Sequence, residues 1–116
     1  MSLTEQFDAA QTALTELLPD GTAILTDPRK AGGHLANRTA VVILAPPTIS
    51  YPTTAHALAD FEVDLIAPTL DPAAAIGQLA PLLDALAPVI EEARPTTYQI
   101  PNGPMFYGYT TKLTDL

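Results

Sequence analysis

The sequence has no cysteine and few basic side chains, with five Lys and Arg against thirteen Asp and Glu in 116 residues. Without cysteine the chain forms no disulfide, offers no thiolate to a metal ion and has no cysteine nucleophile. The formal charge of −8 repels phosphate groups, whose neutralisation supplies most of the affinity of tight nucleic-acid binding. The composition therefore argues against a nucleic-acid-binding protein, and the absence of cysteine fits a reducing cytoplasm.

Long apolar runs are also lacking. No stretch has the run of about 18 apolar residues expected of a membrane span, and the N-terminal residues lack the basic region and apolar run of a signal peptide. We therefore expect a protein made in the cytoplasm, with no membrane partner. Hydrophobic residues make up 47% of the chain, which is enough for a core without a disulfide or a metal ion, so residues 1–116 are predicted to form one domain.

Two long helices are predicted. Residues 2–18 have an apolar residue at each helical turn, and Ser2 and Glu5 have the spacing of a capping box. The second helix begins with Pro72 after the cap residue Asp71. Its predicted buried stripe is Ile76, Leu79, Leu82, Leu83, Leu86, Val89 and Ile90. Two prolines in this segment, at positions 81 and 88, leave open a helix bent around the core or a break into two segments.

The remaining apolar segments predict strands, at residues 22–26, 39–45, 59–66, 96–100 and 105–114. Residues 39–45 are apolar almost throughout, which is typical of a strand covered on both faces. Residues 59–66 alternate apolar and acidic side chains, which predicts one strand with a single exposed face. The turn Pro101-Asn102-Gly103-Pro104 is a strong hairpin signal, whereas residues 27–38 and 48–57 are predicted to be exposed loops.

The order helix, two or three strands, helix, two strands predicts an α+β fold. We expect a mixed or antiparallel β-sheet with the N-terminal helix and the second long helix packed on one face, closed by a β-hairpin. This class of fold leaves function open, so chemically active groups have to be sought directly.

The sequence offers little for catalysis. Gly32-Gly33 lacks the Lys-Ser/Thr of a phosphate-binding loop, and the two histidines are far apart in the chain. Serine occurs only at positions 2 and 50, and neither lies in the context of a nucleophile elbow. Because no acid, base or nucleophile candidates form a group, we expect no enzyme, no cofactor and no metal ion.

Two charged groups are candidates for interaction. Asp60, Glu62 and Asp64 would lie along one strand face. This face is either plainly solvated, or an acidic surface that repels DNA or pairs with a basic patch of another subunit, or part of a divalent-cation site. The basic group Arg29, Lys30 and Arg38 is either a solvated loop or a contact to an acidic face of a neighbouring copy.

Two aromatic residues are candidates for partner contacts. Tyr51 lies in a proline-containing segment, which loses little entropy when it is ordered against a partner. Phe106 is either a core residue near the hairpin turn or a side chain that fills a pocket on a partner.

The order of these features resembles the tail terminator (tail completion) proteins of long-tailed bacteriophages and prophages, especially those of actinobacterial phages. The resemblance covers most of the chain and rests on the order of the elements and on the composition and apolar pattern of each segment. After the first helix come LPDG and the TDPRK segment, the apolar strand VVILAPP, the alternating strand ADFEVDLIAP, the helix AIGQLAPLLDALAPVIEEA and the closing hairpin.

The resemblance implies a virion protein at the head-proximal end of the tail. Such proteins form a ring, usually hexameric, that caps the tail-tube protein, stops tube polymerisation and presents a surface to the head-side connector. DNA passes through the ring without specific binding, and no cofactor or catalytic residue takes part. On this view Asp60, Glu62 and Asp64 face the lumen or an exposed ring surface.

Two other classes compete with this function. One is another head–tail connector or neck protein of the same virion. The other is a small acidic protein-binding module or antitoxin-like regulator unrelated to virions, which would bind one soluble partner as a monomer or dimer.

Overall fold

A computed structural model describes residues 2–53 and 56–114 and has an α+β fold, as the sequence predicted. The helices are α1 (Leu3–Leu17), α2 (Ala31–Ala36) and α3 (Pro72–Leu86), with 3-10 turns at Pro28–Lys30 and Ala87–Val89. The strands are β1 (Ala23–Leu25), β2 (Val41–Leu44), β3 (Thr48–Thr53), β4 (His56–Asp60), β5 (Glu62–Ile66), β6 (Ala93–Gln99) and β7 (Met105–Lys112).

Five strands form one mixed sheet in the order β1-β2-β5-β7-β6, in which only the β1–β2 pair is parallel. Strands β6 and β7 form the predicted closing hairpin. Its turn places Asn102 at a φ of 57°, in the left-handed region that asparagine tolerates better than most residues. The Asn-Gly signal therefore predicted the position of this hairpin correctly.

Helices α1 and α3 pack on one face of this sheet and enclose the larger core cluster. Ser2 Oγ accepts a hydrogen bond of 3.1 Å from the Glu5 N–H, and the Ser2 N–H donates to Glu5 Oε1 at 3.2 Å, which completes the predicted capping box. The hydrogen bond from the Ser2 N–H, together with one from the Ser2 side chain, lowers the pKa of the Glu5 carboxyl group, because both stabilise its ionised form. The start of α1 is therefore fixed by local chemistry.

Helix α2 covers part of the opposite face of the sheet. The prediction that residues 27–38 form an exposed loop was wrong, because Ala31 and Leu35 are buried against Ile43 and Phe106. A six-residue helix that contains Gly32 and Gly33 has low intrinsic helicity. It is stabilised by burial of these two side chains, a tertiary effect that local propensity does not indicate.

Strands β3 and β4 correct two further predictions. Residues 48–57 were expected to be a loop. This was wrong, because Thr48–Thr53 and His56–Asp60 pair as antiparallel strands. Thr54 and Ala55 lie outside the described residues. The strand predicted over residues 59–66 is divided at Phe61, whose side chain is 3% exposed in the core. The alternation itself is confirmed, since Val63 and Leu65 are buried whereas Asp60 and Glu62 are exposed.

Helix α3 continues through Pro81 as far as Leu86, and Pro88 lies in the 3-10 turn that follows. Its buried face consists of Ala75, Leu79, Leu82 and Leu86. Ile76 was predicted to belong to the buried stripe, which was wrong, because its side chain is 55% exposed. The predicted stripe was too wide. Because α3 has few polar residues, it has several apolar faces, and only one of them meets the sheet.

The outer face of α3 is also apolar. Contrary to the sequence-based expectation, Pro72–Val89 is long and apolar enough to cross a membrane by length and composition alone, with a mean hydropathy of 1.2. A core helix of a soluble protein meets the same criterion, and four of these residues are buried in the core of this domain. The outer face of α3 therefore presents apolar side chains that the rest of the described chain does not cover.

Candidate interaction surfaces

Strands β3 and β4 form a two-stranded ribbon that continues the β2–β5 pair beyond the main sheet. Leu44 is opposite Val63 in the sheet, and Thr48 is opposite Asp60 in the ribbon, so the two pairs differ by a single extra residue. Such an offset is typical of a β-bulge, which bends and twists the strands. The molecule is elongated, with a largest dimension of 46 Å against 30 and 23 Å in the other two directions.

Large apolar side chains are exposed on this ribbon. Ile49 is 45% exposed, Tyr51 is 68% exposed, and Leu58, opposite Ser50 on the other face, is 50% exposed. All six residues of β3 are exposed, and this strand pairs with β4 but with no other described strand. Pro52 removes one backbone donor from β3, and proline in an edge strand is a common way to limit uncontrolled strand addition.

Gln6 of α1 fixes the other edge of the ribbon. Its Nε2 donates a 3.0 Å hydrogen bond to the Ala57 carbonyl, and its Oε1 accepts a 2.9 Å hydrogen bond from the Ala59 N–H. The primary amide thus replaces the neighbouring strand that β4 lacks on this side. No sequence pattern indicates this role, since a single glutamine on a helix has no diagnostic spacing.

Replacing Gln6 by Leu should destabilise the protein by about 1–2 kcal/mol, because two hydrogen bonds to the ribbon are lost. The Ala59 amide should then exchange with deuterium much faster, while amides of the β6–β7 hairpin keep their protection. Hydrogen exchange measured by NMR checks both. Gln78→Leu, at an exposed position of α3, is the matched control and should leave exchange at Ala59 unchanged.

The predicted acidic row is divided between two sheets. Asp60 belongs to the ribbon, whereas Glu62 and Asp64 lie in β5, with Glu62 directly opposite Lys112 of β7. Asp60 and Glu62 are exposed and Asp64 is half-buried. In the part of the chain that the structure describes, no group of three or more His, Asp or Glu side chains is arranged to hold a metal ion.

The basic residues lie around α2, on the face of the sheet opposite α1 and α3. Arg29 forms an ion pair with Asp27 at 3.1 Å, while Lys30 and Arg38 are exposed. The side-chain hydrogen bonds from Arg29, together with its backbone N–H, hold the pKa of Asp27 below its usual value. Tyr98 Oη donates to the Pro28 carbonyl, which ties this segment to β6.

The two aromatic candidates have different surroundings. Tyr51 is the most exposed large apolar residue of the described chain and lies on the free ribbon. Phe106 is 8% exposed and packs in the smaller core cluster under α2, which is the core alternative that the sequence left open. The signal for the ribbon was present in the sequence, because four of the six residues of TISYPT are β-branched or aromatic.

A polar depression of about 330 Å³ lies where β5, β6 and β7 meet at one end of the sheet. It is lined by Glu62, Glu91 and Lys112, by threonines of β7, and by Arg94, which pairs with Glu92 at 2.9 Å. Thr111 Oγ1, the polar group buried here, donates to the Glu92 carbonyl. The depression therefore has mixed charges, and Arg94 and Glu92 form an ion pair at its edge.

Comparisons with models of known protein families, with curated proteins and with solved structures found no match to this chain. The surfaces described above are therefore the basis for assigning a function.

Proposed function

We propose that this protein is a structural virion component that assembles as a ring at the head-proximal end of a phage tail. There it stops polymerisation of the tail tube and joins the tail to the head-side connector. The ring is a homo-oligomer, with six subunits by resemblance to the tail terminators. DNA passes through it without specific binding, and the ring needs no cofactor.

The observation that carries this proposal is the β3–β4 ribbon. A two-stranded ribbon gains little stability from its own pairing, yet this one exposes Ile49, Tyr51 and Leu58 and keeps a free edge on β3. Exposed apolar groups of this kind mark surfaces that another protein covers. Further uncovered apolar side chains, Leu70 and Ile76, lie around the start of α3, away from the ribbon.

Two different uncovered surfaces on one chain favour head-to-tail contacts. When the patch on one copy meets a different patch on the next, the contact is heterologous, and it gives a closed ring if the rotation closes. A dimer with two-fold symmetry would instead need one self-complementary patch. The formal charge of −8 on every subunit would also keep DNA from adhering to the lumen.

Negative-stain electron microscopy tests the proposal, with the purified protein alone and mixed with the tail-tube protein of the same phage. Rings, or capped tubes of uniform length, are the expected result. Tubes of unregulated length without this protein at their ends would contradict termination. Binding to the head-side connector but not to the tube would identify another neck protein, and a stable complex with one soluble partner alone would identify a binding module.

The triple variant Ile49→Ser, Tyr51→Ser and Leu58→Ser should abolish capping of tubes. Its thermal unfolding midpoint should stay within a few degrees of wild type, because all three side chains are largely exposed. A pelleting assay with tubes measures binding, and circular dichroism measures folding. Met105→Ser, at an exposed apolar position outside the ribbon, is the control. If it weakened binding to tubes as much as the triple variant does, capping would not depend on the ribbon.

A further inference from the structure

Charge is distributed unevenly over this molecule. Residues 27–38 contain three cations and one carboxylate, which is a formal charge of +2. Because the whole chain has a formal charge of −8, the remaining residues together carry −10. Arg29 is neutralised by Asp27, whereas Lys30 and Arg38 are exposed and have no ion-pair partner among the described residues. The basic segment, defined as residues 27–38, is thus a cationic projection on an anionic protein.

The exposed face of α1 has the opposite character. Asp8 and Glu16 are two helical turns apart, about 12 Å along the axis, and with Gln11, Thr12 and Thr15 they line a shallow groove. Helix α1 contains no Lys or Arg. Neither Asp8 nor Glu16 has an ion-pair partner in the described parts of the chain. This acidic groove is an open surface of one helix, and its two carboxylates are not neutralised by an ion pair.

The basic segment and the acidic groove lie on opposite sides of the sheet, because α2 packs on one face and α1 on the other. They cannot meet within one molecule. We propose that the basic segment of one copy docks in the acidic groove of the next, which makes it a subunit contact of the ring. This inference rests on the proposed function for its setting, but it concerns the contact between copies and can be tested without a tail tube.

A second copy fits the basic segment better than a nucleic acid does. DNA-binding proteins draw their affinity from many phosphate contacts, about 6–10 in strongly salt-dependent cases, whereas the basic segment offers two unpaired cations. The remaining charge of −10 would repel the duplex. One acidic groove supplies two carboxylates, which matches those two cations in number. Complementary charges of this kind set the register of an interface.

Sedimentation velocity as a function of ionic strength gives the first test. Repulsion between evenly charged copies and docking of complementary surfaces predict opposite changes in self-association as the salt concentration rises. For an evenly charged anion, salt screens repulsion and strengthens self-association. For complementary surfaces, self-association is strongest near 0.01 M, where the Debye length is about 30 Å, and weakens towards 1 M, where it is about 3 Å. The second behaviour is expected; association that is absent at low ionic strength, or that strengthens with salt, would overturn the proposal.

Lys30→Glu with Arg38→Glu should weaken low-salt self-association by roughly tenfold or more, since attraction becomes repulsion at two positions. The control Arg94→Glu with Lys112→Glu changes the net charge equally but lies outside the basic segment. It should associate at least tenfold more tightly than the first variant. Equal weakening in both would show that net charge alone is responsible.

Charge exchange gives the sharpest test. Asp8→Lys with Glu16→Lys should weaken self-association to a similar extent. A mixture of this variant with Lys30→Glu/Arg38→Glu should recover association, because each contact between the two different variants is again between opposite charges. No recovery between two folded variants would overturn the proposal. A second result would also overturn it. If wild type bound a fluorescent DNA duplex, and Lys30→Glu/Arg38→Glu abolished that binding but left self-association unchanged, the basic segment would contact nucleic acid and not a second copy. Loss of tube capping with this salt dependence intact would instead count only against the proposed function.

Discussion

Replacing Gly108 by Ala should destabilise the protein by about 3 kcal/mol, which is a large part of the stability of a domain of this size. Gly108 lies in β7, an interior strand of the sheet, opposite Ile66 of β5 and Thr96 of β6. A methyl group there would collide with the Leu65 carbonyl and lie 2.9 Å from Ile66 Cδ1. Because the first of these atoms belongs to the backbone of a paired strand, the sheet itself would have to shift.

Urea unfolding followed by circular dichroism measures this loss. The matched control is Gly77→Ala, the same substitution at an exposed position inside α3, where the new methyl group has no atom within 4 Å. Gly77→Ala should stabilise the protein by about 0.5–1 kcal/mol, since alanine is the better helix former. An unfolding midpoint for Gly108→Ala that equals wild type would show that β5 and β7 do not approach this closely.

Replacing Leu79 by Ala should cost about 3 kcal/mol, from lost burial and from the cavity that remains. Leu79 is fully buried on α3, between the helix and the sheet. Ile76 lies one turn earlier in the same apolar pattern but is 55% exposed, so Ile76→Ala should change stability by less than about 0.5 kcal/mol.

The comparison of these two variants tests the orientation of α3 on the sheet. Both remove an aliphatic side chain from the same helix, so differences in helix propensity nearly cancel. Chemical unfolding of the isolated protein at low concentration separates the two values. If Ile76→Ala were as destabilising as Leu79→Ala, the face of α3 that meets the sheet would be the one that the sequence pattern predicted.

The sequence predicted best where short-range chemistry decides. Ser2 and Glu5 form their capping box, Asp71 caps α3 by accepting the Ala73 N–H at 3.0 Å, and the Asn102-Gly103 turn closes the hairpin. In each case the interacting groups are within a few residues of one another. Their pairing therefore depends on local backbone geometry, which the sequence specifies.

Prediction failed where an element depends on distant residues. Helix α2 has only Ala31 and Leu35 to bury, and its glycines disfavour a helix until β2 and β7 provide a surface. The ribbon was missed because Pro52, together with Pro46 and Pro47 just before it, suggested a loop, although an edge strand accommodates proline. Gln6 acts on Ala57 and Ala59 across more than fifty residues, a separation at which sequence spacing indicates nothing.

The amino-acid sequence by itself determined the α+β class, the capped starts of α1 and α3, the closing hairpin and the anionic character of the chain, because local hydrogen bonds, apolar periodicity and charge counts require no partner across the fold. Tertiary structure alone decided which apolar face of α3 is buried, where the acidic row divides, and that the basic segment and the acidic groove lie on opposite sides of one sheet. Those features arise from packing between residues far apart in the chain, where many arrangements satisfy the same local pattern and burial selects one.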